Sequence, residues 1–337
     1  MKSVTYIAQE NRYEQMKYRR IGRSGVKLPA VSLGLWQNFG GDKPFEDIRA
    51  MILRAFDLGV THFDLANNYG PPPGSAEETF GNVLKKDLAS YRDELFISTK
   101  AGFYMWPGPY GEWGSRKNLL ASLDRSLQRM GLDYVDVFYH HRPDSGTPLE
   151  ESMGALAHAV KSGKALYVGL SNYGPEETKQ AAVILKNLGT PLLVHQPMYS
   201  MLNRWIENGL QDVLADVGAG SVAFCPLGRG QLTGKYIDKL ETEFKTGLRT
   251  LKPEAVSQER INKFRALEAI AKRRGQTLPQ MALTWALREG GVDSVLIGAS
   301  RVGQIEENMQ AVHAEPLSAA DLQEIDHVMH KIGDIPW

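Results

Sequence analysis

Short β-branched runs alternate with longer amphipathic ones along most of the chain. AVSLGLW (30–36) is followed by FEDIRAMILRAFDLG (45–59), THFDLA by SAEETFGNVLKKDLA, and ELFISTK by RKNLLASLDRSLQRMG. The rhythm continues through YVDVFYHH, ESMGALAHAVKSG, ALYVGLSN, PEETKQAAVILKNLG, LLVHQP, ENGLQDVLADVG and SVAFCPLG, and closes with SVLIGAS and QIEENMQAV. The longer runs carry apolar residues at helical spacing, as at Leu119, Leu120, Leu123, Leu127 and Met130. Several stop at a glycine (Gly59, Gly131, Gly163, Gly189), where a left-handed residue is expected just past a helix.

About eight such units close a (β/α)8 TIM-type barrel, with a doubly wound open sheet as the competing α/β fold. Before the first unit, MKYRRIGRSGVKLPA reads as a β-hairpin turning at Arg23-Ser24-Gly25, placed to plug the bottom of a barrel. After the last, AADLQEIDHVMH adds one C-terminal helix. No low-complexity or Pro/Gly/Ser linker divides the chain, so residues 1–337 read as a single domain. Two connections, Gly102–Ser115 and roughly Gly228–Ser257, exceed ordinary βα loops. The first is rich in aromatic residues, including Trp106 and Trp113.

A formal net charge of zero argues against nucleic acid or an anionic membrane as partner. The one cysteine, Cys225, fits a reducing compartment, and the polar N-terminus lacks the apolar core of a secretory signal. With no apolar run of membrane-spanning length, a cytoplasmic location is expected.

In a barrel, strand-terminal residues share one rim, where active sites form. Here these are Asp64, Lys100, His141, Ser171, Asn172, Gln196, Phe224, Cys225 and Gly298, with Tyr69 on the loop after the second strand. Taken singly, such residues are commonly caps, solvated lysines or interior histidines; their joint placement is the signal. Reducing a carbonyl requires a proton donor for the developing alkoxide. A tyrosine can serve if its pKa near 10 is lowered by ~2–3 units, which needs roughly 3–4 kcal/mol. An ammonium at ~4 Å supplies about 4 kcal/mol at an effective dielectric near 20, so Lys100 suffices in magnitude. Asp64 would keep that lysine charged, and His141 would bond the substrate oxygen.

Gly218-Ala219-Gly220-Ser221-Val222-Ala223 fits a dinucleotide-loop pattern, but it follows a helix and leads into a strand, so it is expected to be a turn. No metal site is expected: His327 and His330 share a helix face without a third ligand. Ser300 is a fair cap for the last barrel helix. Arg301 in its first turn is unfavourable unless an anion such as a 2′-phosphate sits there.

HFDLANNYG, ISTK, HHRPD, GLSNY, VHQPMY, PLGRGQLTGKY and LIGASRVGQIEEN together resemble the aldo-keto reductase family over nearly the whole chain. NNYGPPPGSAEE and STKAGFYMWPGPYG resemble the branch holding bacterial triose-phosphate reductases and the β-subunits of voltage-gated potassium channels. The resemblance implies a (β/α)8 barrel, NADPH/NADP+ across the rim, Tyr69 as general acid, and Asp64, Lys100 and His141 as its catalytic partners. It implies Ser171, Asn172 and Gln196 at the nicotinamide amide and Phe224 stacked on its ring, with Cys225 among the cofactor-binding residues. Gly34, Leu35 and Trp36 would line the first strand end. Pro226, Leu227, Gly228, Arg229, Gly230 and Lys235 would form the pyrophosphate belt. Gly298, Ser300, Arg301, Gln304, Glu307 and Asn308 would hold the adenosine end. Trp36, Tyr69, Trp106, Trp113 and His141 would shape the substrate pocket, more so because the chain ends at DIPW where many members carry a longer closing loop.

The expected activity is reduction of a small carbonyl substrate, with L-glyceraldehyde 3-phosphate, glyceraldehyde and methylglyoxal as candidates. Arg116 or Arg142 could reach a phosphate. The alternative is an NADPH-binding redox-sensing subunit, against which His141 stands because the channel subunits typically carry Asn there. A homo-oligomer, tetramer or octamer, is carried over from relatives in the branch.

Overall fold

The computed structural model describes residues 6–234 and 258–330. Among these, eight parallel strands close into a barrel: β3 (Val31–Gly34), β4 (His62–Asp64), β5 (Phe96–Ala101), β6 (Val135–His140), β7 (Ala165–Ser171), β8 (Val194–Gln196), β9 (Gly220–Ala223) and β10 (Ser294–Ile297). β10 pairs with β3 to shut the ring. The intervening helices are α1 (Phe45–Asp57), α2 (Ser75–Val83), α3 (Arg116–Met130), α4 (Leu149–Lys161), α5 (Pro175–Asn187) and α6 (Leu210–Val217), followed by α7 (Gln258–Arg273), α8 (Leu278–Ala286) and α9 (Val302–Met309). The extra helix α10 (Ala319–Met329) follows. The alternation therefore resolves as a closed barrel and not as an open sheet.

Gly59, Gly131, Gly163 and Gly189 all adopt the expected positive φ. Strand alternation is equally plain. In β5, Ser98 and Lys100 belong to one face, while Thr99 on the other bonds Glu77, which is paired with Arg129. In β4, His62 and Asp64 take the inner face and Phe63 packs outward on Phe80.

The hairpin is β1 (Tyr18–Arg20) with β2 (Lys27–Pro29), paired antiparallel. Ile21 and Leu28 are buried and pack with Val137, Tyr139, Leu193, Val194, Val222 and Leu296, closing the amino-terminal end of the barrel. The Gly218–Ala223 stretch runs from α6 through a left-handed Gly218 into β9, as a turn. The turn packs closely on the hairpin: a Cβ on the hairpin's Gly22 would lie 2.3 Å from the Gly218 carbonyl oxygen, and one on Gly220 2.7 Å from Ile21.

Two helices after β9 have no counterpart in the periodicity. α8 is buried on all sides, so it shows no polar face to mark it, although Thr277 and Gln280 cap it reciprocally. α7 follows the long connection, of which residues 235–257 lie outside those described.

Candidate active site

Parallel pairing brings the strand-end residues together. Asp64 faces Ser98 in register, and Lys100 faces Tyr139 one step higher on β5. Beyond the strand ends, Leu65 and Asn67 still bond the Ser98 and Lys100 carbonyls, so the chain reaches Tyr69 along a fixed path. The Lys100 ammonium, fully buried, donates to Asp64 Oδ2 at 2.5 Å, to the Leu65 carbonyl at 2.7 Å and to Tyr69 Oη at 3.2 Å. Its three hydrogens thus have three acceptors. Asp64 Oδ1 receives Ser98 Oγ at 2.6 Å and Gln196 Nε2 at 3.0 Å.

The Tyr69 ring lies between Trp36 and His141, at centroid distances of 6.4 and 5.9 Å. Asp64, Lys100, Tyr69 and His141 therefore converge although scores of residues separate them in sequence. The hydroxyl of Tyr69 accepts from Lys100, which leaves its own hydrogen to donate.

The electrostatics depart from the expectation that Lys100 lowers Tyr69. Burial raises the phenol well above its usual value, and the Asp64 anion adds to the rise. Burial also lowers Lys100, against the opposing pull of Asp64. The paired carboxylate offsets the field that the lysine alone would exert on the phenol. Tyr69 consequently keeps its proton at neutral pH, as a donor must. Burial first, then Lys100, hold His141 well below the usual imidazole range, so its ring is neutral. His141 Nδ1 is buried without a partner.

A cleft of about 560 Å³ opens from this point. It is lined by Gly34, Trp36, Asp64, Tyr69, Phe224, Cys225, Pro226, Leu227, Arg229, Gly230, Gly298, Ser300, Arg301, Gln304, Glu307 and Asn308. Leu35, Gly228, Ser171, Asn172, Gln196 and His141 lie outside this lining, and Lys235 falls outside the described residues. Gln37, Asn38, Thr233 and Pro279 line the cleft as well and were not anticipated. Pro279 comes from α8, the helix without a periodic signal. Trp106 and Trp113 are absent from the lining: Arg125 covers Trp106, and Arg142 stacks on both Phe103 and Trp113. Phe103 is the member of that aromatic loop against His141, at 4.6 Å.

Backbone strain concentrates here. Among the described residues five non-glycine residues have positive φ; of these Asn38, Cys225 and Arg229 line the cleft, and the Asn172 side chain donates to the His141 carbonyl. Strained conformations persist where the surrounding structure over-determines them, and they cluster at ligand sites. Asn172 Nδ2 donates to the His141 carbonyl and to Ser171 Oγ, while its Oδ1 is buried without a partner. An orphaned amide oxygen beside the acid–base group suits the carboxamide of a nicotinamide, and the long cleft suits the rest of a dinucleotide. Ser300 does not cap α9. Gln304 reaches back to the Ser300 N–H and hydroxyl, and Arg301 stands in the cap position with no side-chain cap bond.

The barrel thus carries a buried Asp–Lys–Tyr–His group at its carboxyl rim. The sequence matches the model of the aldo/keto reductase family over residues 30–330, and the chain belongs to that family. L-glyceraldehyde 3-phosphate reductase of Escherichia coli strain K12 is 55% identical over 329 residues, covering 96% of this chain and 95% of that protein. The protein of the same name from Escherichia coli O157:H7 is 54% identical over the same span. No described helix is long and apolar enough to cross a membrane.

Proposed function

We propose that this oxidoreductase reduces small aldehydes to alcohols with NADPH, and that L-glyceraldehyde 3-phosphate, glyceraldehyde and methylglyoxal are its candidate substrates. The observation that carries the reading is the Tyr69 hydroxyl at 3.2 Å from the Lys100 ammonium, at the head of a cleft ending on Ser300, Arg301 and Asn308. When bound, the reduced nicotinamide supplies the hydride for the carbonyl carbon. Tyr69 gives its proton to the carbonyl oxygen, and the phenolate left behind sits against Lys100. Asp64 fixes the lysine through the ion pair. His141, neutral, offers a hydrogen bond to the same oxygen without adding a charge. Asn172 orients the carboxamide through its free oxygen. Arg301, next to a helix N-terminus, suits a 2′-phosphate and thus NADPH over NADH.

Tyr69→Phe tests the assignment. Turnover of NADPH with glyceraldehyde is expected to fall by roughly 10²–10⁴-fold, the range for a lost general acid. Cofactor binding, followed by fluorescence, should persist. Retained activity would remove Tyr69 from the reaction.

A further inference from the structure

Beneath Asp64 a chain of hydrogen bonds runs through the barrel interior to the hairpin. Ser98 Oγ donates to Asp64 Oδ1 at 2.6 Å and lies 3.1 Å from His62 Nε2. His62 Nδ1 lies 3.0 Å from Ser32 Oγ, which is 2.8 Å from Ser294 Oγ. Ser294 Oγ donates to the Pro29 carbonyl at 2.7 Å. His62, Ser32, Ser98 and Ser294 are all fully buried.

Both ends of this chain only accept. Pro29 offers a carbonyl oxygen. The Asp64 oxygens already face Lys100, Ser98 and Gln196 as donors. Five contacts therefore need five hydrogens. Three serines supply three, and a neutral imidazole supplies one. One contact would be left as two lone pairs facing each other. An imidazolium closes the count, with both ring N–H groups donating to serine hydroxyls that have passed their own hydrogens outward.

We propose that His62 is held as an imidazolium, a second buried cation under Asp64, and that it acts as a positioning residue for the Tyr69 site. Burial, joined by Lys100, lowers its pKa to about 4 although Asp64 pulls the other way, so the imidazolium rests on the hydrogen count and is held against burial. Those are the charged groups bearing on the ring; its other neighbours from β3, β5 and β10 are the serines and Phe96, edge-on at 5.5 Å. Sharing Asp64 between two cations leaves the cluster with net positive charge, and so returns to Tyr69 the field that the Asp64–Lys100 pair cancels. The protonation count rests on geometry alone; its effect on turnover rests on the reductase reading above.

The first test is 15N NMR of protein labelled at histidine, with the His62 signals assigned by their loss in His62→Gln. Both ring nitrogens at imidazolium shifts at pH 7 are expected; a neutral tautomer overturns the proposal. The second uses Ser294→Ala. Deleting that hydroxyl removes two contacts and one hydrogen, so three contacts remain for three hydrogens and His62 should become neutral with its proton on Nε2. Ser32→Ala makes the same prediction should Ser294→Ala fail to fold. A wild-type imidazolium that survives both substitutions contradicts the count. Turnover with NADPH and glyceraldehyde should fall about 10-fold in kcat in Ser294→Ala at unchanged KM, as loss of one nearby charge implies. Its pH profile should also lose the limb on which wild-type kcat declines as His62 deprotonates. Unchanged kcat and pH profile would leave His62 without influence on Tyr69.

Discussion

The two ends of the barrel are built from the same strands by opposite means. At the amino-terminal end, Ile21 and Leu28 of the hairpin region close over Val137, Leu193, Val222 and Leu296, an apolar seal. At the carboxyl-terminal end, Asp64, Lys100 and Gln196 are equally buried but polar, with the Lys100 ammonium and the Gln196 amide nitrogen both donating to acceptors. β5 serves both purposes within six residues, Phe96 packing against the lower cluster and Lys100 entering the upper one. The lesson is that burial here does not distinguish stability from function; the pairing of polar groups does.

Lys100→Met should break the comparison most severely. It removes the cation and leaves Asp64 buried without it, a loss on the order of 3–5 kcal/mol for a severed buried pair. Turnover should fall by roughly 10²–10⁴-fold, since Tyr69 loses the group that stabilises its phenolate. Urea titration and steady-state kinetics read the two effects separately. Native stability would show that the ion pair is not held as tightly as its geometry indicates.

Ile21→Ala probes the other end. Truncating a fully buried isoleucine costs about 2–5 kcal/mol through lost contacts and the cavity left behind. Because the seal lies at the opposite end from Tyr69, kcat should change by less than about 2-fold, a difference well under 1 kcal/mol in barrier. A large fall in kcat in protein that remains folded would show the two ends to be coupled.

Acid should expose a third class of buried group. Burial depresses His140 and His195 to about 4 each. Both are neutral when folded, with His140 Nδ1 at Tyr173 Oη and His195 Nε2 at the Tyr173 carbonyl. The unfolded chain protonates them near 6.5. Their contribution is therefore complete above that pH and is lost as pH falls towards 4, at up to about 1.4 kcal/mol per pH unit for each. His195→Gln should flatten this slope in urea titrations between pH 6.5 and 4; an unchanged slope would place the acid sensitivity elsewhere.

The sequence carried the barrel because seven of its helices show an apolar stripe and its strands end in polar residues of the kind that gather at one rim. Asp64, Lys100 and His141 were legible for the same reason. α8 was not, since a helix buried all round has no stripe, and with it Pro279 escaped notice as part of the cleft. Neither was the set of left-handed residues at Asn38, Cys225 and Arg229, because nothing in those residue types announces a positive φ. The aromatic loop is a third case. Composition marked the loop's aromatics together and Trp106 and Trp113 for the pocket; Arg125 stacks on Trp106, Arg142 on Trp113 and Phe103, and Phe103 also meets His141 edge-on. The direction of the Tyr69 shift follows from its burial first and the Asp64 anion second, and spacing along the chain encodes neither.

Arg301 offers the smallest and most selective change. It stands at the cap position of α9 without a cap bond, on the lining of the cleft, and its guanidinium lies over the first turn beside Gly303. Gln304 already satisfies the Ser300 N–H, so the helix start does not depend on the arginine. Arg301→Gln should therefore leave thermal stability and kcat near wild type. Loss of one charged hydrogen bond to a 2′-phosphate, worth about 1.5–3 kcal/mol, would raise KM for NADPH by roughly 10–100-fold. KM for NADH, which lacks that phosphate, should stay within about 2-fold, under 0.5 kcal/mol. Equal changes for both cofactors would mean that Arg301 shapes the cleft in general and does not read the phosphate.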